Sequence, residues 1–78
     1  MFYCYVLRLS NSKNYIGFST NLRQRIEEHI SGKVSATKKL LPLKLVYYSA
    51  FISKKKALDF EKYLKTASGF AFRSKRLI

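Results

Sequence analysis

The chain has 78 residues, of which 16 are Lys or Arg and only 4 are Asp or Glu, so its formal net charge is +12. A chain this short hides only about 60% of the surface of its unfolded form, which leaves room for one modest core and predicts a single domain over the whole length. Hydrophobic residues make up 47% of the sequence, including six Tyr and six Phe. This excludes a disordered basic tail.

The excess positive charge predicts a polyanionic partner, and nucleic acid is the first candidate because phosphate contacts provide most non-specific affinity. A merely solubilising surface is the alternative. No apolar run approaches the ~20 residues that span a bilayer, and the opening residues lack the basic start of a signal peptide. The single cysteine, Cys4, excludes an intramolecular disulfide and a thiolate zinc cluster. We therefore expect a cytoplasmic protein that does not bind membranes.

The chain opens with a predicted β-hairpin. Residues 2–9, "FYCYVLRL", are apolar or aromatic on both parities, which is typical of a central strand that is covered on both faces. The turn cluster "SNSK" follows, and "NYIGF" resumes strand character. A two-residue loop would place Tyr5 and Tyr15 on opposite faces of the hairpin, whereas a loop of odd length places them on the same face. We predict the odd loop.

A helix is predicted after the hairpin. Asn21 is a suitable N-cap, and Gln24 stands three residues later where a capping box requires it. The helix runs to about Ser31, and Gly32 can end it in the left-handed conformation. Its predicted apolar stripe consists of Leu22, Ile26 and Ile30.

Two polar residues, Arg25 and His29, border that stripe one helical turn apart. His29 could be a helix-end residue that bonds a carbonyl, and Arg25 could pair with Glu28 or Glu61. The functional alternative is that a guanidinium and an imidazole reach a phosphate together.

The second half of the sequence predicts a basic connector with a short helical turn (residues 33–42), a strand (residues 43–51) and a second helix capped by Ser53. Three lysines at 54–56 occupy the first turn of that helix, although the helix dipole prefers acids there. Such an arrangement favours a phosphate-binding role. Gly69 breaks the final basic and aromatic segment.

Glu61 is the most informative acid. Helical spacing places it on one stripe with Ala57, Phe60 and Leu64, while Asp59 and Lys62 point outward. A carboxylate against the core needs a cation or hydrogen-bond donors. Arg25 or a lysine could supply a structural ion pair, and a bound metal ion is the sharper alternative. From spacing alone, Tyr5 and Tyr15 are sheet aromatics more often than catalysts.

An ordered set of motifs resembles the GIY-YIG nuclease family. "YCY" at residues 3–5 is followed by "YIG" at 15–17 and "NLRQRIEEH" at 21–29. The family pattern is a tyrosine on the first strand, Tyr-x-Gly on the second, an arginine and often a histidine on the next helix, and a glutamate on a later helix. The likeness covers about residues 2–76 and is greatest to the small standalone bacterial members. Tyr3 and Cys4 replace the Gly and Ile of GIY, and no Asn follows the glutamate.

The resemblance implies an α/β fold of the α+β type, with a small three-stranded antiparallel sheet flanked by helices. It implies metal-dependent hydrolysis of DNA phosphodiester bonds, in which Glu61 holds one divalent ion, Mg²⁺ or Mn²⁺. Arg25 would neutralise the phosphate, and Tyr5 would accept a proton from the attacking water. Tyr15 and His29 would orient that water or relay its proton.

The remaining expectations concern Gly17 and the partner. Gly17 is expected to let the backbone pass close to the phosphate or to the helix start. DNA is the expected partner, with RNA as an alternative, and a protein partner is one route to substrate selection. A monomer or weak dimer is expected. The rival function is a basic nucleic-acid-binding module that keeps the nuclease fold with little or no turnover. The expected phosphate-binding residues are Lys33, Lys38, Lys39, Lys54, Lys55, Lys56, Arg73, Lys75 and Arg76.

Overall fold

A computed structural model of the chain describes residues 1–66. Its elements, in chain order, are β1 (Phe2–Arg8), β2 (Asn14–Ser19), α1 (Leu22–Ile30), a 3-10 turn (Lys38–Leu40), β3 (Lys44–Phe51) and α2 (Lys54–Leu64). The strands form one antiparallel sheet in the order β2-β1-β3. The predicted three-stranded sheet, its central first strand and the flanking helices are therefore confirmed. No helix within residues 1–66 is long and apolar enough to cross a membrane.

The register of the hairpin places the two candidate tyrosines on one face of the sheet. Tyr5 pairs with Gly17, and Tyr15 pairs with Leu7, two residues further along β1. Since side chains alternate along a strand, Tyr5, Leu7 and therefore Tyr15 share a face. The connection between Arg8 and Asn14 has an odd number of residues, so the predicted loop parity is confirmed.

The sheet separates two core clusters, one under each helix. On the α1 face, Tyr5, Leu7 and Leu9 pack with the apolar side of α1 and with the connector. On the α2 face, Cys4 and Val6 pack with residues of β2, β3 and α2. Alternate residues of β1 thus bury their side chains in opposite clusters, which explains why the strand is apolar on both parities.

The ends of α1 follow the predicted capping residues. The side-chain oxygen of Asn21 accepts a hydrogen bond from the backbone N–H of Gln24 at 3.2 Å. The helix ends at Ile30 with Ser31 as its C-cap, and Gly32 follows with φ of 78°. A φ in this range costs glycine little, because glycine has no Cβ.

The predicted apolar stripe of α1 is wrong at its last position. Ile30 is 58% exposed, whereas His29 is completely buried. A step of three from Ile26 reaches His29 and a step of four reaches Ile30, so apolar spacing alone favours the isoleucine. Burial of the imidazole costs little here because both ring nitrogens have hydrogen-bond partners. The helix is therefore rotated so that His29 lies within the buried side rather than beside it.

The second helix matches its prediction closely. The Ser53 hydroxyl accepts from the backbone N–H of Lys56 at 3.3 Å, as expected of an N-cap. Ala57 and Leu64 are fully buried. Asp59 and Lys62 are exposed, and Glu61 is partly buried on the inner stripe.

Candidate active site

An open cavity of about 490 Å³ lies along β2, at one edge of the sheet. Tyr5 and Arg25 reach it from the α1 face, and Glu61 and Lys65 reach it from the end of α2. Residues 14–18 of β2 complete the lining. Because β2 is an edge strand, its lining residues are approached from outside the sheet, and groups from both faces meet there.

Gly17 is the residue that lets Tyr5 reach this edge. It lies opposite Tyr5 in the β1–β2 pairing. A Cβ placed on Gly17 would overlap the end of the Tyr5 ring, including its hydroxyl. The ring therefore crosses the edge strand where that strand has no side chain. The close approach that the structure shows at Gly17 is to the Tyr5 ring, and the expected approach to a phosphate stays a prediction.

The Tyr5 hydroxyl begins a buried chain of hydrogen bonds. It lies 2.9 Å from His29 Nε2, and His29 Nδ1 lies 2.8 Å from Thr37 Oγ1. Tyr5 is 1% exposed, and both His29 and Thr37 are fully buried. Burial lowers the pKa of His29, the positive charge of Arg25 lowers it further, and Glu28 acts in the opposite direction. His29 is thus held as a neutral imidazole.

Tyr15 contacts the same histidine from the side. Its ring centre lies 5.2 Å from that of His29, with an edge-to-face angle of 63°. The Tyr5 and His29 rings also meet edge to face, at 5.7 Å. Tyr15 is only partly buried and lines the cavity. The two tyrosines therefore hold the imidazole between them, and both reach the cavity.

Arg25 places a guanidinium at the cavity beside Tyr5. Its Nη1 donates to Glu28 Oε1 at 3.1 Å, and its side chain keeps 38% exposure. Burial raises the pKa of Tyr5, and the Arg25 guanidinium opposes that increase. The charges of Tyr15 and Glu61 raise the pKa of Tyr5 further, while the charge of Arg25 lowers it. The ion pair with Glu28 was one of the two alternatives for Arg25, and it coexists with a position at the cavity.

Glu61 supplies a partly buried carboxylate to the cavity. Its side chain is 19% exposed, and Lys65 Nζ donates to its Oε2 at 3.2 Å. Burial raises the pKa of the nearby Cys4 thiol to about 12, with the charge of Glu61 adding to the effect. Of the two structural partners predicted for Glu61, Arg25 or a lysine, the structure shows a lysine, Lys65. Arg25 pairs with Glu28 instead.

The oxygen ligands of the cavity suit a hard divalent ion whose remaining coordination positions are filled by water and substrate. Glu61 is the sole carboxylate among the described residues that line it. Within residues 1–66, no group of three or more His, Cys, Asp or Glu side chains could hold a metal by itself. Mg²⁺ is usually bound by one or two carboxylates together with waters and substrate phosphates. One carboxylate beside an open, cationic cavity fits that pattern.

The structure brings most of the predicted site residues together. Tyr5, Tyr15, Gly17, Arg25 and Glu61 line one cavity. His29 lies behind Tyr5, fully buried and outside the cavity lining. In this conformation His29 is linked to the cavity through its contacts with Tyr5 and Tyr15. Its partners are side chains, so the carbonyl alternative is wrong.

The predicted phosphate-binding residues lie away from this lining. Six of them are exposed on the connector and the first turn of α2: Lys33, Lys38, Lys39, Lys54, Lys55 and Lys56. That first turn is about 9 Å along the helix axis from Glu61 at 1.5 Å per residue. The other three, Arg73, Lys75 and Arg76, lie outside the described residues.

Sequence reasoning missed two residues of the site. Lys65 was detectable, because a lysine four residues after Glu61 shares its helix face. Thr37 was not detectable, because a threonine in a polar connector carries no signal of burial. Its position depends on how the connector folds back over α1.

The family model of the GIY-YIG catalytic domain matches residues 1–75. The chain belongs to the GIY-YIG family. It is 42% identical over 64 residues to a UPF0213 protein of Streptococcus pneumoniae, a match that covers 81% of this chain and 65% of that relative. A UPF0213 protein of Pediococcus acidilactici is 36% identical over 70 residues, which cover 86% of this chain and 71% of the relative. The matched part of this GIY-YIG chain thus spans about two thirds of the streptococcal protein.

A solved structure has the same fold. The solution NMR structure of a UPF0213 protein of Bacillus halodurans superimposes with a TM-score of 0.62 at 30% sequence identity. The match covers 99% of this chain and 87% of that one. The names of these relatives state no activity, so the chemistry of the GIY-YIG site has to be argued from its residues.

Proposed function

We propose that this GIY-YIG domain is a metal-dependent endonuclease that hydrolyses DNA phosphodiester bonds and cuts one strand per active site. The observation that supports it best is the convergence of Tyr5, Arg25 and Glu61 on one open cavity from opposite faces of the sheet. Phosphodiester hydrolysis needs an activated water, neutralisation of charge on the phosphate, and a site open to a long polymer. The cavity along β2 supports the proposal because it is open and is lined by a phenol, a guanidinium and a carboxylate.

Arg25 has the geometry to bind the scissile phosphate. Its guanidinium carries more donors than its pairing with Glu28 uses, and 38% of its side chain is accessible. A guanidinium can contact two phosphate oxygens at once. The negative charge on those oxygens increases in the transition state, so this interaction strengthens as the reaction proceeds.

Tyr5 is the candidate base for the attacking water. Its hydroxyl is the titratable oxygen held at the cavity by both a buried imidazole and a neighbouring guanidinium. A phenol with a reference pKa near ~10 has to be ionised to accept a proton. Burial raises the pKa of Tyr5 overall although Arg25 opposes it, so a bound divalent ion and nearby lysines would have to favour the ionised form.

Glu61 would hold the divalent ion, Mg²⁺ or Mn²⁺. Such an ion acts as a Lewis acid and neutralises charge on a phosphate oxygen. Lys65 occupies the carboxylate in the described conformation. That contact uses one carboxylate oxygen, Oε2, so Oε1 could bind the ion directly, and displacement of Lys65 would make both oxygens available.

The rival is a binding module with little or no turnover. The observation that favours it is that both charged site residues already have partners, Arg25 with Glu28 and Glu61 with Lys65. Each of these pairs is partly exposed and therefore contributes about 0–1 kcal/mol. A phosphate or a divalent ion can displace contacts of that strength, so the enzyme remains the better-supported function.

The test is nicking of supercoiled plasmid with and without Mg²⁺, using Glu61→Gln and the matched surface variant Lys62→Gln. We expect the wild type and Lys62→Gln to produce open-circle DNA only with the metal, and Glu61→Gln to produce none. The nuclease proposal fails if wild type binds DNA yet does not cleave it with Mg²⁺ or Mn²⁺, or if Glu61→Gln cleaves as fast as wild type.

The proposal does not specify which DNA structure or sequence is cut. RNA is the alternative polymer, and a protein partner or duplex shape could supply selectivity. The basic surface argues for contact with phosphates rather than with particular bases. Cytoplasmic location, a single domain and a monomer or weak dimer stay predictions.

A further inference from the structure

The hydrogen-bond chain from Tyr5 through His29 to Thr37 can hold its protons in two ways. In the first, the Thr37 hydroxyl donates to His29 Nδ1 and His29 Nε2–H donates to the Tyr5 oxygen. In the second, the Tyr5 hydroxyl donates to Nε2 and Nδ1–H donates to Thr37 Oγ1. Both fit the distances of 2.9 Å and 2.8 Å. They differ in which nitrogen of the neutral imidazole carries the hydrogen.

Counting donors separates these arrangements. Thr37 is fully buried, and among the described residues its hydroxyl has one hydrogen-bond partner, His29 Nδ1. If Nδ1–H donates to that oxygen, the hydrogen of the threonine hydroxyl is left without an acceptor. An unsatisfied buried donor costs a desolvation penalty that proteins rarely carry. When Thr37 donates instead, its hydrogen is used.

The Tyr5 end of the hydrogen-bond chain also favours the first arrangement. When His29 Nε2–H donates to Tyr5, the hydroxyl hydrogen of Tyr5 turns away from the imidazole. Tyr5 lines the cavity, where substrate oxygens and water can accept that hydrogen. Thr37 has no comparable route for its hydrogen, because it is fully buried and does not line the cavity. Arg25 has only donors, so it can donate to the Tyr5 oxygen but cannot accept the hydroxyl hydrogen of Tyr5.

We propose that Thr37 is a positioning residue that fixes His29 in the Nε2–H tautomer, so that the imidazole donates a hydrogen bond to the Tyr5 oxygen rather than accepting one from it. Thr37 does not line the cavity, and its hydroxyl bonds His29. It acts through the imidazole. The proposal rests on the proposed nuclease function only for its consequence in catalysis, because the tautomer is a property of the protein alone.

The consequence concerns how Tyr5 works as a base. An Nε2–H donor stabilises the negatively charged form of the phenol, and it acts beside Arg25, which has the same effect. In this arrangement His29 does not accept the proton of Tyr5. The relay of a proton through His29, expected from the sequence, is replaced by stabilisation of the ionised tyrosine.

Nitrogen NMR of the imidazole tests the proposal directly. His29 is the only histidine of the sequence, so ¹⁵N-histidine labelling gives one pair of ring nitrogens to assign. Long-range ¹H–¹⁵N correlation near neutral pH is expected to show a protonated Nε2 and an unprotonated, hydrogen-bonded Nδ1. A protonated Nδ1 overturns the proposal, whether or not the protein cleaves DNA.

Two substitutions at Thr37 provide the matched comparison. Thr37→Val keeps the shape and removes the hydroxyl, and Thr37→Ser keeps the hydroxyl. We expect Thr37→Val to shift the Nδ1 resonance and to lower the single-turnover cleavage rate about tenfold, the factor that corresponds to one hydrogen bond of ~1.4 kcal/mol. Thr37→Ser is expected to restore both towards wild type. Should Thr37→Val leave the Nδ1 resonance where it is in wild type, the proposal is wrong.

The outcomes for this inference and for the nuclease proposal are separable. A protein that never cleaves DNA contradicts the nuclease function, and the tautomer of His29 still decides the role of Thr37. An active enzyme with Nδ1–H contradicts only the role of Thr37. If Thr37→Val does not fold, the wild-type spectrum and the Thr37→Ser variant decide the question.

Discussion

The two faces of the sheet bury different kinds of groups, although one strand supplies both. Val6 and Cys4 on the α2 face lie in an apolar cluster with Leu64. Tyr5, their neighbour on β1, points to the other face, where its hydroxyl, an imidazole and a threonine hydroxyl are buried together. Burying polar groups costs free energy unless each is hydrogen-bonded. Both faces bury apolar side chains, but the α1 face also buries a hydrogen-bonded group of polar side chains that positions the Tyr5 hydroxyl.

Glu61 is the exception that makes the comparison informative. It belongs to α2, yet it lies at the edge of the sheet where the two faces meet at the cavity. Helix α2 therefore packs on the core and also supplies the one carboxylate among the described residues that line the cavity. Substitutions can separate core stability from catalysis because different residues contribute to each.

The largest effect is expected from neighbouring residues on β1. Tyr5→Phe removes the candidate base and should lower the single-turnover cleavage rate by about 10²–10⁴, with about 1 kcal/mol lost from the free energy of unfolding. Val6→Ala should lower that free energy by about 2–3 kcal/mol and leave the cleavage rate of the folded protein unchanged. Denaturant titration beside single-turnover kinetics measures both. If Val6→Ala lost cleavage at denaturant concentrations well below its unfolding transition, the two faces would not differ in their roles.

Arg25→Ala should separate rate from affinity. Removing one group that stabilises transition-state charge costs about 10²–10³ in rate, while the affinity for DNA should change little because Arg25 is one of many cations. Glu28→Gln is the control, since it removes the partner of Arg25 and leaves the guanidinium. Equal losses of binding and cleavage in Arg25→Ala would show that the residue only binds.

Gly17→Ala tests how Tyr5 reaches the edge of the sheet. The added methyl group overlaps the Tyr5 ring and should cost about 1–3 kcal/mol of unfolding free energy. Tyr5→Leu removes the ring, so Gly17→Ala should cost less in that background. The double-mutant cycle reads the coupling from thermal or denaturant unfolding. Additive losses would mean that the ring does not cross the strand at Gly17.

The smallest effect is expected from the exposed lysines of the connector and the first turn of α2. Charge reversal at Lys38 or Lys54 should weaken DNA binding to a similar extent for unrelated sequences. Each lost phosphate contact should lower the slope of log affinity against log salt by about 0.9 for duplex DNA. Salt titrations by fluorescence anisotropy measure the slope, and Lys62→Glu serves as the comparison on the same helix. An unchanged slope would place the phosphate contacts elsewhere.

Much of this arrangement could be predicted from the sequence, because local signals agreed with the fold. Asn21 and Ser53 carry the capping chemistry of their helices, and the odd loop brings Tyr5 and Tyr15 to one face. The inner position of Glu61 follows from the spacing of Ala57 and Leu64. The motif resemblance added the link between elements that lie far apart in the chain.

The rest depended on tertiary contacts that no local pattern contains. Ile30 was predicted inside because hydrophobicity alone ranks it above His29, yet two hydrogen bonds make the burial of the imidazole favourable. One of these bonds comes from Thr37, which reaches α1 only after the connector has folded back. The need for a glycine at position 17 could not be predicted either, because it comes from the Tyr5 ring on the neighbouring strand.

The most direct test of the account is where a divalent ion binds. Mn²⁺ broadens NMR signals of nearby nuclei, so titrating it into ¹⁵N-labelled protein locates the ion without any cleavage assay. We predict that the backbone amide signals of Glu61 and Lys65 on α2 and of Gly17 on β2 broaden first, and that Glu61→Gln abolishes this broadening. Broadening centred on Glu27 and Glu28 of α1, or broadening that persists in Glu61→Gln, would contradict the central claim that the cavity along β2 is a metal-dependent active site.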